Sequence, residues 1–318
     1  MRIVFMGTPE LAAHCLSRLI DSGFNIVGVV TAPDKPAGRG RKLQQSPVKR
    51  VAVASGIPVL QPERFKSPDF LDQLHRLRPD IQVVVAFRML PEVVWSLPPQ
   101  GTFNMHASLL PDYRGAAPIN WVLINGETET GVTTFLLDHK IDTGRILFQE
   151  KLHIDEDETA GSLHEKMKEP AANIIIKTIQ AIEKGHVEPV PQSELYTEKE
   201  PLHTAPKLFR EDCRIDWYRS SHQIINLIRG LSPSPGAFCD VHDNEKTLPV
   251  KIFEASAELY DHSHTPGTIF SDNKHYLKIA ARDGVVKIHQ LQLPGKKVMK
   301  TQELLRGFHF KSAVKSDL

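Results

Sequence analysis

Arg2-Ile3-Val4-Phe5-Met6 runs straight into Gly7-Thr8-Pro9-Glu10. Leu11, Cys15, Leu16 and Leu19 then follow at helical spacing, before Gly23 and a second apolar run, Asn25 to Val30. A continuous short apolar run fits a strand covered on both faces, and a glycine turn into a proline-opened helix makes the first half of a βαβ unit. Thr8 is the expected cap, with Pro9 opening the helix and Gly23 closing it. The rhythm repeats downstream. Ser46-Pro47 and Ser67-Pro68 mark two further helix starts, Ile81 to Phe87 and Thr102 to His106 two further strands, and residues 131–137 a β-branched strand. From Thr159 to about Lys184, Leu163, Met167, Ala171, Ile174, Ile175, Ile179 and Ile182 recur at helical spacing, and Pro170 is expected to kink or split that helix. The pattern predicts an α/β domain over residues 1–187 built on a doubly wound, mostly parallel, Rossmann-like sheet. Ligands of such sheets bind outside the carboxyl ends of the strands, where the strand order reverses.

Between residues 188 and 206 the rhythm stops, and prolines at 189, 191, 201 and 206 read as a linker. Residues 207–318 carry one helix signal, Ser220 to Gly230. Short turn-bounded β runs follow at Gly236 to Val241, Pro249 to Ala255, Gly267 to Phe270, Tyr276 to Ala280 and Gly284 to Leu293. This spacing predicts a second, smaller domain, an OB-like β-barrel.

Composition narrows the function. With 318 residues, 41% hydrophobic and 24% charged, the chain is neither collagen-like, disordered nor a coiled coil, and it has length for two cores. Its longest apolar runs are strand-sized, well short of the roughly 20 residues that cross a bilayer. The first residues lack the pattern of a secretory signal, so a soluble, cytoplasmic protein without membrane contact is expected. Cys15, Cys213 and Cys239 are odd in number and widely separated, which predicts free structural thiols. The 15 histidines include no His-Glu-x-x-His, so no metal is expected. The net charge of +1 hides an asymmetry. Residues 207–318 hold 17 Lys and Arg against 13 Asp and Glu, while the rest hold 22 against 25.

The turn after the first strand lacks the second and third glycines of a dinucleotide fingerprint, which argues against NAD. Gly38-Arg39-Gly40-Arg41-Lys42 lacks Walker spacing. The informative stretch is Asn104-Met105-His106-Ala107-Ser108-Leu109-Leu110-Pro111, followed by Tyr113-Arg114-Gly115-Ala116-Ala117-Pro118. Asn104 and His106, two apart at a strand end, point to one side of the sheet. Asp138 and Asp142 follow another strand, where the sheet could bring a carboxylate to the imidazole. An amide, a titratable ring and a carboxylate would then converge. The plainer alternative leaves Asn104 capping a turn and His106 bonded to a backbone carbonyl; spacing alone does not choose. A hydrolase built from Ser108, His106 and Asp142 would lack the Gly-x-Ser-x-Gly elbow.

Taken together, Met6-Gly7-Thr8-Pro9-Glu10, Pro36-Ala37-Gly38-Arg39-Gly40, Asn104-x-His106-x-Ser108-Leu109-Leu110-Pro111, Arg114-Gly115-Ala116-Ala117-Pro118-Ile119, Glu129-Thr130-Gly131-Val132-Thr133 and Asp142-Thr143-Gly144 resemble the methionyl-tRNA formyltransferases. Ala205-Pro206-Lys207-Leu208, Ile215-Asp216-Trp217 and Pro233-x-Pro235-Gly236-Ala237-Phe238 extend the resemblance to that family's C-terminal domain. The Asn-x-His and Ser-Leu-Leu-Pro pieces are common to the wider folate-dependent formyltransferases.

The resemblance implies transfer of a formyl group from 10-formyltetrahydrofolate to the α-amino group of initiator methionyl-tRNA, with no metal and no protein partner. It makes Asn104, His106 and Asp142 the catalytic trio. Asn104 and a His106 N–H would donate to the formyl oxygen, while Asp142 would orient the ring and stabilise its positive charge. It also implies a folate pocket involving Phe87, Arg88, Met89, Leu90, Ser108, Leu109, Leu110, Pro111 and Asp138. Phe87-Arg88 stands where many members have Tyr-Gly. Ser234 stands where a large aromatic is frequent, and no binding role is assigned to it. Residues 31–50 carry six cations against Asp34. By the same resemblance Lys35, Arg39, Arg41 and Lys42 would grip acceptor-stem phosphates, and Lys296 and Lys297 would extend the track. Two alternatives remain: formyl transfer to a small amine, an amino sugar or purine precursor, and a non-catalytic RNA-binding module.

Overall fold

The computed structural model describes residues 1–37, 42–195, 201–243 and 246–309. In chain order the first elements are β1 (Arg2–Gly7), α1 (Glu10–Asp21), β2 (Asn25–Val30), β3 (Lys35–Ala37), β4 (Lys42–Gln44), α2 (Pro47–Ala54), β5 (Val59–Leu60), α3 (Pro68–Arg76) and β6 (Ile81–Val85). Next come α4 (Glu92–Trp95), β7 (Thr102–His106), β8 (Arg114–Gly115), α5 (Pro118–Ile124), β9 (Glu129–Leu136), β10 (Ile146–His153), α6 (Ala160–Lys166) and α7 (Lys168–Glu183). The last are β11 (Thr204–Ala205), α8 (Ser221–Leu231), β12 (Ala237–Asp243), β13 (Lys246–Leu259), β14 (Ile269–Ser271), β15 (Leu277–Ala280), β16 (Gly284–Gln292), β17 (Met299–Lys300) and α9 (Thr301–Leu305).

Two compact units share the chain. One comprises Met1–Gly115, Glu129–His153 and His164–Thr204; the other comprises Ala116–Thr128, Ile154–Leu163 and Ala205–Leu318. The units are not consecutive in sequence, because α5 packs on α8. Asn120 donates to the Gly230 carbonyl at 2.7 Å, and a Cβ on Gly230 would lie 2.7 Å from Ile124 Cγ1.

The first unit is built on a seven-stranded sheet in the order β10-β9-β7-β6-β1-β2-β5. β5, β2, β1, β6 and β7 are parallel, whereas β9 and β10 are antiparallel additions. From β1 the chain moves outward to β2 and β5, then returns to the other side of β1 as β6 and β7. The order therefore reverses between β1 and β6, beside the ends of β6 and β7. Alternate residues of β1 supply two cores: Ile3 and Phe5 join the apolar face of α1 and α7, while Val4 and Met6 join Phe70 and Leu74 of α3. Gly7 makes the first turn fit, since a Cβ there would lie 2.6 Å from Ala12 Cβ and 2.9 Å from the Val85 carbonyl.

Local signals differ from expectation in three places. Thr8 does not cap α1; Pro9 holds the cap position and no side-chain bond is made. Ser46 does cap α2, accepting from Lys49 N at 3.0 Å. The long helix breaks at Met167, which places Pro170 in the first turn of α7, where its missing N–H would have no partner anyway. The basic segment 31–50, in which no strand is expected, contains the β3/β4 hairpin, with Lys35 opposite Gln44 and Ala37 opposite Lys42.

In the second unit β12, β13, β16, β15 and β14 form an antiparallel sheet, joined at β16 by β17. Its apolar face packs with α8 around Trp217, Ile224, Ile228, Val286 and Ile288. Ser220 and Gln223 make a reciprocal capping box on α8, and Asp283 Oδ1 accepts from both the amide and the hydroxyl of Ser221 at 2.7 Å. Burial pushes the Asp283 carboxyl up, but the Ser221 bonds outweigh it and hold the group below its ordinary value.

All three cysteines are free and buried, and burial pushes the Cys15 and Cys239 thiols up to about 12. Among the described residues no helix is long and apolar enough to cross a membrane. Nor do three or more His, Cys, Asp or Glu gather there as metal ligands would.

Candidate active site

β7 lies parallel beside β6, with Val84 opposite Asn104 and Val85 opposite Met105. Asn104 and His106 share one face of this strand. The ring of His106 is buried at 6% exposure and meets Phe135 edge-on, with centroids 6.5 Å apart. Its Nε2 lies 2.9 Å from the Tyr113 carbonyl. A carbonyl only accepts, so Nε2 carries the hydrogen and Nδ1 is the nitrogen left to take or give a proton. Tyr113 is itself held at φ 58, in the left-handed region. Its amide donates to the His203 carbonyl at 2.9 Å, and its ring stacks on the His203 ring with centroids 5.2 Å apart. The His203 amide in turn donates to Asp112 Oδ1 at 2.6 Å.

Asp142 reaches this ring by a reversal. β9 runs antiparallel to β7, so its carboxyl end lies beside Phe103, away from His106. The following loop turns back through Asp142 at φ 55 and Gly144, where a Cβ would sit 1.7 Å from the Leu136 carbonyl. Only glycine fits there. Asp142 Oδ2 then stands 3.9 Å from His106 Nδ1 and accepts from the Gly115 amide at 3.0 Å. The ring's orientation, expected from Asp142, is therefore fixed by the Tyr113 carbonyl, and Asp142 faces the opposite nitrogen across a longer gap.

The Asn104 Oδ1 is buried without a hydrogen-bond partner. A buried, unpaired amide oxygen costs roughly 1–3 kcal/mol, so its presence at a strand end beside a titratable ring marks a place where a polar group can dock. Half a turn of the amide would present its NH2 to that space instead.

Ser108 is absent from this arrangement as a nucleophile. Its hydroxyl donates to the Asp112 carbonyl at 2.7 Å, while both His106 nitrogens face other groups. That geometry disfavours the Ser-His-Asp hydrolase. Ser108, Leu110 and Pro111 are buried, and Leu109 is half-buried against Gly131. The Leu110 amide donates to Thr133 Oγ1 at 3.2 Å, and Gln149 donates to the Leu110 carbonyl at 2.8 Å.

Past β6, Ala86 takes φ 46, Phe87 is half-buried, Met89 is 78% exposed and Leu90 returns to the core. Met89 and Leu90, both assigned to the folate pocket by resemblance, thus part company, one in solvent and one in the core. Arg88 lies over the Phe65 ring, 4.4 Å from its centroid, and donates to the Pro62 carbonyl at 2.8 Å. Asp138 is exposed, and its Oδ1 accepts from the Lys140 amide and the Thr143 hydroxyl at 2.9 Å, clipping the loop that carries Asp142.

Lys35 is exposed on the hairpin, and the Lys42 backbone pairs in β4. Arg39 and Arg41 lie outside the described residues. Two other cations of the segment are engaged locally: Lys49 donates to Asp34 at 2.6 Å and to Gln61 at 2.7 Å, and Arg50 pairs with Glu10 at 3.0 Å. In the second unit, Lys296 and Lys297 are exposed beside the Gly295 turn.

Sequence reading missed Gln192. This side chain, 4% exposed, accepts from Arg114 Nε and Nη2 at 3.0 and 2.5 Å, and donates to the carbonyls of Asp142 and Gly144 at 2.9 and 2.8 Å. The available signal was a glutamine after Val190-Pro191 in the supposed linker, which periodicity does not flag.

The family model described as formyl transferase matches residues 1–179, and its C-terminal-domain counterpart matches residues 207–309. A methionyl-tRNA formyltransferase of Bacteroides fragilis is 50% identical over 316 residues, covering 99% of this chain and 97% of the relative. The chain belongs to the methionyl-tRNA formyltransferase family. Another member, from Azobacteroides pseudotrichonymphae, is 50% identical over 309 residues, covering 96% of this chain and 95% of that one. Among solved structures, HypX from Aquifex aeolicus in complex with tetrahydrofolic acid matches 100% of this chain with a TM-score of 0.63 and 19% identity. The chain spans about half the length of HypX, 51%. An N-formyltransferase from Helicobacter canadensis, in complex with folinic acid and dTDP-3-aminofucose, matches with a TM-score of 0.64 and 21% identity, covering 91% of this chain and 99% of its own. These two likenesses concern the fold.

Proposed function

We propose that this chain transfers the formyl group of 10-formyltetrahydrofolate to the α-amino group of methionine esterified to initiator tRNA. The observation that carries the reading is the buried Asn104 amide oxygen without a hydrogen-bond partner, on the same strand face as His106, whose Nδ1 faces Asp142 at 3.9 Å, in a chain of this family. The residues fit the donor, because the Asn104 amide, turned over so that its NH2 takes the place of the unpaired oxygen, and an imidazole N–H together suit a carbonyl oxygen that gains charge.

The donor supplies an electrophilic formyl carbon bound to nitrogen. The Asn104 NH2 donates to the formyl oxygen as negative charge grows there, the kind of contact whose loss typically costs about 10²- to 10³-fold in rate. His106, with Nε2–H committed to Tyr113, holds a proton on Nδ1 for the same oxygen or for the departing nitrogen. Asp142, with Oδ2 anchored by the Gly115 amide, uses its other oxygen to accept the proton lost by the attacking amine. An α-amino group with a reference pKa of about 8 is partly free base near neutrality.

Of the residues assigned to the folate pocket by resemblance, Phe87, Met89 and Leu109 keep surface for a ligand. Arg88 and Asp138 brace their loops, while Leu90, Ser108, Leu110 and Pro111 pack beneath. Lys35, Arg39, Arg41 and Lys42, with Lys296 and Lys297, are assigned to tRNA phosphates. A cytoplasmic site of action follows from this substrate.

The test is a formyl-transfer assay comparing charged initiator tRNA, charged elongator tRNA and small amines at one salt concentration. Selective use of charged initiator tRNA supports the reading. Preference for an amino sugar or purine precursor overturns the acceptor, and no folate-dependent transfer to any of them overturns the chemistry.

A further inference from the structure

Residues 180–206 lie between the two family-model matches. Within this gap, backbone bonds between Val190 and Ile146, at 2.8 and 2.9 Å, pin the segment to the start of β10. Pro191 then opens a short turn over Gln192–Glu194. The turn sends the Gln192 side chain inward to four bonds, and both faces of its carboxamide are filled. The oxygen takes two hydrogens from Arg114, while the nitrogen gives one hydrogen each to the carbonyls of Asp142 and Gly144. No other side chain matches this demand at the same length: glutamate cannot donate, and asparagine is one carbon shorter.

The two carbonyls bracket the reversal that brings Asp142 to His106. Asp142 occupies the left-handed region, which aspartate tolerates better than most L residues but does not favour, so the bonds around it help to set it. Gln192 grips both ends of that reversal, and Gly115 grips its carboxylate. We infer that Gln192 is a positioning residue for the transfer reaction, holding the Asp142 loop in register with His106 and tying it to Arg114. This rests on the formyl-transfer reading above, but the geometry can be checked without turnover.

The isosteric Gln192→Glu substitution keeps the acceptor for Arg114 and removes both donors. In the full-length protein it should lower kcat about 10²-fold, as a displacement of about 1 Å does in a preorganised site, with little change in KM for either substrate. A merely structural role would give a similar loss in an Asp142→Asn background. A residue acting through Asp142 should cost less than about twofold there. Independently of activity, exchange of the Gly115 amide proton, which reports the Asp142 Oδ2 contact, should speed up about 10-fold as the loop loosens. If Gln192→Glu does not fold, Gln192→Met removes the same donors without adding a charge, although it also removes the acceptor for Arg114.

Unchanged kcat, equal losses in both backgrounds, or unaltered Gly115 exchange would overturn the inference. Should the wild-type chain fail to formylate any acceptor, the functional reading falls, and Gly115 exchange still decides what Gln192 holds.

Discussion

At the end of β7 fixed bonds hold the reacting groups: His106 Nε2 to Tyr113, Asp142 Oδ2 to Gly115 and the Asp142 carbonyl to Gln192. On the β3/β4 hairpin, Lys35 stands in solvent, and among the described residues of the neighbouring segment Lys49 and Arg50 pair with carboxylates. The first region works by holding a few atoms in fixed places away from water. The second offers charges to a screened surface, where each is worth little by itself. Single substitutions should therefore be severe and insensitive to salt at the strand end, and mild, additive and salt-dependent on the hairpin.

The strongest test replaces His106 or Asn104 by alanine. Each should reduce kcat by about 10²- to 10³-fold, at low and at high salt alike. Asn104→Ala has a second signature, since it deletes an oxygen with no partner. Its Tm should stay level or rise while turnover collapses. Normal turnover with a lowered Tm would mean that Asn104 serves the fold and not the reaction.

How far the sequence exposed this site follows from the range of each contact. Asn104 and His106 were legible because they sit two apart on a strand, and strand periodicity fixes their common face. Asn25–Val30 also forms where an apolar run predicts a strand, with Ile26 and Val29 in one core and Val30 in the other. Asp142 was legible only as a carboxylate near a strand end. The direction of β9, and hence the need for the loop to reverse, depends on pairing across the sheet. The carbonyl of Tyr113 is backbone, so no side-chain pattern announces it. Gln192 and His203 lie 50 and 91 residues from the groups they hold, in a proline-rich stretch that composition marks as a linker. The hairpin was missed for a related reason. Lys35–Ala37 and Lys42–Gln44 lack the alternating apolar pattern by which a half-buried strand is recognised.

A milder pair of substitutions probes the hairpin. Lys35→Ala and Arg39→Ala should each raise KM for charged tRNA several-fold at low salt and leave folate binding unchanged. Each lost phosphate contact should reduce the magnitude of the slope of log K against log salt by about 0.7–0.9. Equal losses for tRNA and folate, or an unchanged salt slope, would remove these side chains from the RNA contact.

Lys49 sharpens the same boundary from within. Although it belongs to the basic segment by count, its ammonium is spent on Asp34 and Gln61, and Gln61 also donates to the Ala32 carbonyl and to Asp34. Lys49→Met should therefore leave the salt slope of tRNA binding alone and lower Tm by a few degrees, the scale of about 1 kcal/mol in a chain this size. A changed slope with unchanged Tm would return Lys49 to the phosphate contacts.

The smallest effect lies in the acid limb of stability. The hydrogen bond from Lys49, then that from Gln61, holds the Asp34 carboxyl below its ordinary range, more than offsetting desolvation. A carboxylate depressed in the folded state binds its proton more readily when unfolded, so its contribution is full above the unfolded value of about 3.9 and fades as pH falls toward the folded one. Asp34→Asn should thus flatten the fall of Tm with pH below about 4 and change little at pH 7 beyond the loss of one half-buried pair. Catalysis measured near neutrality should stay at the wild-type rate, because nothing in this cluster touches His106 or Asp142. A steeper acid limb in Asp34→Asn would mean that the carboxyl is held above its ordinary value, and the pairing that reserves Lys49 from RNA would have to be abandoned.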